Sequence, residues 1–150
     1  MFERILIATD GSKHSERAAE AGIEMARLYG SAVTALFVVD IGKEYAPLGD
    51  LISKVADDLI AGIRSNLQKQ GDEATKSVEG MAEKVGIAVT RKITEGYPAE
   101  DIIRIAEEGD MNLIVMGGIG VTGLERFLLG SVADKVVRSS KIPVLVVRKE

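Results

Sequence analysis

The chain contains no cysteine. Disulfides, thiolate catalysis and cysteine-based metal sites are therefore excluded, although the absence says nothing about compartment. It has one histidine, His14, placed among polar residues where a helix is expected to begin. An exposed surface role suits it better than acid–base chemistry. No apolar run approaches the ~20 residues of a membrane span, and the N-terminus lacks a signal-peptide core, so no membrane and a cytoplasmic location are expected. Basic excess is missing too: 19 Lys+Arg against 23 Asp+Glu leave a net charge of −4. That balance argues against nucleic acid as a main partner, because counterion release needs clustered cations.

What is present is an ordinary globular composition. The chain has 150 residues, 46% hydrophobic and 28% charged, enough for one domain over 1–150 with a real core. Arg4 to Thr9 and Ala32 to Val39 are continuous apolar runs, read as strands buried on both faces. Between them Asp10-Gly11-Ser12 forms a turn and cap. A helix follows with Ser15, Ala18, Ala19, Gly22, Met25, Ala26 and Tyr29 on one face, ended by Gly30. Ile41 to Gly49 reads as a loop, and helical periodicity runs from Leu51 to Val85. A single helix of that span would be about 54 Å long at 1.5 Å per residue, so a bend or break is expected at Gly71-Asp72.

Ile87 to Thr94 alternates more, as an edge strand does. Pro98 then stands near the first position of a helix bearing Ala99, Ile102, Ile103 and Ala106. Leu113 to Met116 is a fourth strand, Val132 to Ser139 a last helix and Pro143 to Arg148 a last strand. Strands alternating with helices predict an α/β fold: a five-stranded parallel sheet in order 3-2-1-4-5, with helices on both faces and right-handed crossovers, Rossmann-like in architecture.

The chemistry concentrates after the fourth strand, where Leu113 to Met116 breaks into Gly117-Gly118-Ile119-Gly120. Nine residues later Gly130-Ser131 precedes the last helix, with Ser131 expected as its N-cap. Strand, glycines and helix N-terminus together suit an anion held by backbone amides, although a tight βα turn would use the same residues. The stretch is neither a Walker loop, since no Gly-Lys-Ser/Thr follows, nor a dinucleotide fingerprint. In an open α/β sheet ligands bind beyond the carboxyl ends of the strands, where the winding reverses. There Asp10 would face the glycines, and the end of the second strand (Val38-Val39-Asp40) could meet a base through its backbone. Asp10 also has a plain reading as a turn residue. Arg126 reads as solvated surface, and so do the adjacent acidic pairs Asp57-Asp58 and Glu107-Glu108.

Gly117-Gly118-Ile119-Gly120, nine residues and Gly130-Ser131 together match G-x2-G-x9-G-S/T, the nucleotide motif of universal stress proteins. The opening RILIATDGS, the strand end FVVD, the turn EGYPAEDI and the ending KIPVLVVRKE also resemble that family, in its ATP-binding subgroup. The fold this implies is similar to that of the adenine nucleotide alpha hydrolases. The resemblance implies that Asp10 lies near ribose and metal, with Ala8 and Thr9 lining the adenine pocket and the Val38 backbone on the adenine edge. It likewise implies that Gly117 and Gly120 surround ribose and phosphate, and that Gly130, Ser131 and the following Val132 meet the phosphates. One departure is Ala8, where some relatives carry proline.

The implied ligand is ATP or AMP, with Mg²⁺ or Mn²⁺ accompanying ATP. No nucleophile, positioned base or phosphate-loop lysine is visible, so a ligand-dependent regulatory switch is expected, with hydrolysis slow or absent. The alternatives are a nucleotide-independent dimeric scaffold or, third, a slow ATPase. A homodimer is expected through the strand at 143–148, whose apolar edge has no following element to cover it.

Overall fold

The computed structural model describes residues 1–44, 53–119 and 129–148. Five parallel strands lie in the order β3-β2-β1-β4-β5, the order expected from the sequence. They are β1 (Arg4–Ala8), β2 (Ala32–Asp40), β3 (Val89–Gly96), β4 (Leu113–Gly117) and β5 (Val144–Val147). The helices are α1 (Lys13–Tyr29), a four-residue α2 (Ile41–Glu44), α3 (Ser53–Glu83), α4 (Pro98–Glu108) and α5 (Ser131–Ser139).

Each central strand feeds two cores because its side chains alternate. Ile5 and Ile7 of β1 join Val33, Ala35, Leu113 and Val115 beneath α1 and α3. Leu6 and Ala8 join Leu36, Ile114 and Met116 beneath α4 and α5. Ile5, Leu6, Ile7, Ile114 and Val115 are wholly shielded from solvent, each worth about 1.5–3 kcal/mol in transfer terms. That two-sided demand is why β1 and β4 read as unbroken apolar runs.

Helix α1 starts where Ser12 caps it, its hydroxyl accepting from the Ser15 amide at 3.2 Å, and ends at Gly30 in the left-handed region. Its buried face differs from the expected one at two places. Ile23 is buried, whereas Tyr29 is 55% exposed and packs edge-on against Phe2 with centroids 5.5 Å apart. Helix α4 begins with Pro98 at its first position, and the Asp101 carboxylate accepts from the Tyr97 amide at 2.9 Å.

The break expected at Gly71-Asp72 does not occur. α3 runs unbroken for 31 residues. Gly71 is a point of close approach: a β-carbon there would lie 2.8 Å from Phe37 Cδ1 on β2. Near the helix start Leu59 is 52% exposed. The two sheet edges also differ. β3 alternates as expected and carries Arg91, Lys92 and Glu95, whereas β5 is all valine and leucine.

Candidate functional site

A cavity of about 270 Å³ opens at the carboxyl ends of β1, β2 and β4, on the α4/α5 side of the sheet. Ala8, Thr9, Asp10, Val38, Gly117, Gly130, Ser131 and Val132 all line it. Every described residue expected at a nucleotide site therefore borders one space. Gly120 lies outside the described residues, as does Arg126.

The β1 end forms the first wall. The Thr9 amide donates to the Leu36 carbonyl at 2.9 Å, the last link between β1 and β2 on this side. The Thr9 hydroxyl lies 3.1 Å from that of Ser15 and accepts from the Gly11 amide. Asp10 accepts from the Ser12 amide at 2.9 Å. Its turn reading and its place in the cavity wall thus coexist, because one carboxylate has several acceptor positions.

Val38 follows from strand geometry. Peptide groups two residues apart point the same way, so the Val38 N–H and C=O share the direction of the Leu36 carbonyl. β1 pairs with β2 only as far as Ala8 opposite Leu36. The Val38 peptide therefore looks into the gap where β1 has turned away. Beside it in register on β3 is Thr94. The Thr94 hydroxyl is buried without a hydrogen-bond partner among the described residues.

The opposite wall joins β4 to α5. The Gly118 amide donates to Val147, and the Gly118 carbonyl accepts from the Gly130 amide at 2.7 Å. This clamps the start of α5 against the end of β4. Ser131, expected as N-cap, is instead the first helical residue; Gly130 is the cap, in extended conformation and with no side-chain bond to the helix. Glycine can fill that position because the cap's own carbonyl already accepts from the Asp134 amide. Ser131, Val132 and Ala133 open α5, so no carbonyl within the helix can accept from their amides, and all three residues border the cavity. The positive end of the α5 dipole lies at the same place.

Neither described glycine of the strand–loop corner has a positive φ. A β-carbon on Gly117 would lie 3.1 Å from the His14 backbone, and one on Gly118 would lie 3.2 Å from Val146. Both glycines let β4 press against its protein neighbours, a structural need that glycine spacing alone does not distinguish from ligand approach. His14 contributes its backbone under Gly117, with its side chain half-exposed.

Leu36 from β2, Pro98 and Ile102 from α4 and Met116 from β4 also line the cavity, as does Asp40 at the strand end already read as base-facing. Their apolar members had read as core. The signal available for Asp40 was its place at a strand end. The lining is thus apolar toward α4, carboxylate-bearing at the ends of β1 and β2, and amide-rich at α5. Among the described residues no group of three His, Cys, Asp or Glu is placed to hold a metal.

The family model of the universal stress proteins matches residues 1–148. Universal stress protein MJ0531 of Methanocaldococcus jannaschii is 41% identical over 149 residues, covering 99% of this chain and 84% of that protein. MJ0577 of the same organism is 30% identical over 159 residues, covering 100% of this chain and 97% of that protein. The solved MJ0577 structure superposes with a TM-score of 0.83, over 100% of this chain and 98% of the other. The universal stress protein of Archaeoglobus fulgidus in complex with dAMP has a TM-score of 0.66 and 24% identity over 98% of this chain and 99% of its own, a likeness of fold. Motif, topology and these matches agree, and the chain belongs to the universal stress protein family.

Proposed function

We propose that this protein binds an adenine nucleotide, ATP or AMP, and acts as a ligand-dependent regulatory protein of the stress response in the cytoplasm. The observation that carries the reading is the division of the cavity into an apolar slot and an amide-rich mouth. Leu36, Val38, Ile102 and Met116 suit a base, and the Val38 peptide offers it a donor and an acceptor. Asp10 takes ribose hydroxyls, Gly117 backs the sugar, and the α5 amides with Ser131 take the phosphates. About 270 Å³ is at the low end for small-ligand sites, so the phosphates extend through the mouth. The Archaeoglobus fulgidus relative, bound to dAMP, carries a ligand of the same class.

A divalent cation would accompany ATP mainly through its phosphates. With Asp10 in the wall across from α5, Mg²⁺ or Mn²⁺ would neutralise phosphate charge. No Lys, Arg, His or Gln is among the described lining residues, and phosphoryl transfer draws on such groups to orient water and stabilise charge. Hydrolysis is therefore slow or absent. Calorimetric titration of AMP, and of ATP with and without Mg²⁺, tests the reading. One nucleotide bound per chain is expected; no heat and no competition between the two nucleotides would overturn it.

We further propose a homodimer through β5. The Val147 carbonyl accepts from Gly118 and the Pro143 carbonyl from Ile114, so Pro143, Leu145 and Val147 turn their peptides toward β4. Val144 and Val146 consequently present theirs to the open edge. Edges are normally guarded by charge, as β3 is by Arg91 and Lys92. Val146→Pro removes an outward N–H and spares the β4 ladder. It should convert a dimer to a folded monomer in sedimentation; a persisting dimer excludes this edge.

A further inference from the structure

Ser15 of α1 is 4% exposed and lines the cavity together with Thr9 and Asp10. Its hydroxyl donates to the Ser12 carbonyl at 2.8 Å. A serine hydroxyl carries a single proton, so in the 3.1 Å contact between Thr9 and Ser15 the Thr9 hydroxyl is the donor. The Thr9 oxygen in turn accepts from the Gly11 amide at 3.2 Å. One directed chain therefore runs from Gly11 through Thr9 and Ser15 to Ser12, and it spans Asp10. The helix has no need of it. Ser12 Oγ already accepts from the Ser15 amide, and the Ser12 carbonyl already accepts from the Glu16 amide at 3.0 Å. Alanine would also suit a helix better than serine does. Nor does the end of β1 depend on it, because the Thr9 amide is bonded to Leu36. What the Ser15 hydroxyl holds is the turn from Asp10 to Ser12, in which Gly11 takes a φ of +80°.

We infer that Ser15 is a positioning residue: acting through Thr9 and this turn, it fixes the Asp10 carboxylate where the ribose hydroxyls of a bound nucleotide donate to it. This rests on the nucleotide reading of the same cavity. Asp10 is exposed, and its own bond runs to the Ser12 amide on the same turn. The carboxylate therefore goes where the turn goes, and Ser15 ties the turn to the buried side of α1. An acceptor held in place beforehand needs no ordering at the moment of binding, and affinity rises accordingly.

Ser15→Ala tests the assignment, since it removes the link and keeps the cap of α1. Wild type and variant are titrated with AMP and with 2′,3′-dideoxy-AMP, which lacks the hydroxyls that Asp10 would meet. Thermal denaturation confirms the fold. Wild type should prefer AMP by about tenfold or more, as bonds to a charged acceptor do. The variant should lose at least fivefold in AMP affinity and less than twofold in dideoxy-AMP affinity. Thr9→Val cuts the same chain from its other end and carries the test should Ser15→Ala fail to fold. It should give the same selective loss, and the two changes together no more than either alone. An AMP preference unchanged within twofold, or an equal loss for both ligands, overturns the assignment, as does a wild type that binds the two alike. Failure of wild type to bind AMP at all would instead sink the nucleotide reading itself.

Discussion

Two hollows meet at Asp10, one on each face of the sheet, and they are nearly equal in size. The cavity on the α4/α5 side measures about 270 Å³, and the cleft between α1 and α3 about 310 Å³. Both include Thr9 and Asp10 in their walls. The second adds Glu16, Gln70, Glu73 and Ser77. The first adds apolar side chains and the start of a nine-residue helix. Volume therefore does not decide which hollow serves a phosphate-bearing ligand. Charge and backbone do: one has a helix N-terminus at its mouth, and the other surrounds its space with carboxylates.

Filling the first hollow should have the largest effect. Ala8 is small, 7% exposed and in the wall. Ala8→Leu adds apolar bulk where the base and ribose would lie, and should lower AMP affinity about 100-fold, while overpacking costs about 1–3 kcal/mol of stability and leaves the fold formed. Next, Ser131→Glu makes the first hollow electrostatically like the second. A carboxylate at the start of a helix favours the dipole by about 0.3–1 kcal/mol, so the fold should hold or tighten as ATP affinity falls roughly tenfold by like-charge repulsion. An unchanged titration would remove α5 from the phosphate site.

Glu73→Gln in the second hollow should change AMP affinity less than twofold. A larger loss would exchange the roles of the two hollows. The smallest effect lies on α3 near that second hollow. A hydrogen bond from Arg91, and next one from Lys76, holds the Asp72 carboxyl below its usual value. A depressed folded-state pKa stabilises above the unfolded value, near 3.8–3.9, and that contribution is lost as pH falls through the folded one. Asp72→Asn should therefore flatten slightly the acid-side fall of the urea midpoint below about pH 4, with nucleotide binding at neutral pH unaffected.

Much of this architecture was legible beforehand. β1 and β4 announced two-sided burial by unbroken apolar runs, and β3 its edge position by alternation. The strand-end rule alone brings Thr9-Asp10 and Val38 toward the glycine corner. Other features share one physical difficulty, namely that a residue's neighbour is distant in sequence. Gly71 reads as a helix breaker until Phe37 is found against it. Pro98 and Ile102 read as cap and core until the sheet's carboxyl ends open beneath them. Ser131 looks like a cap because serine so often is one. The cap is Gly130, whose position is set by its bond to Gly118 across the corner.

Backbone amide NMR during AMP titration tests the central claim most directly, since it reads the two hollows at once. The account predicts saturable shifts at Thr9, Val38, Ser131 and Val132, with Glu16, Glu73 and Ser77 nearly still. Shifts confined to the α1/α3 cleft, or none at millimolar AMP, would contradict it.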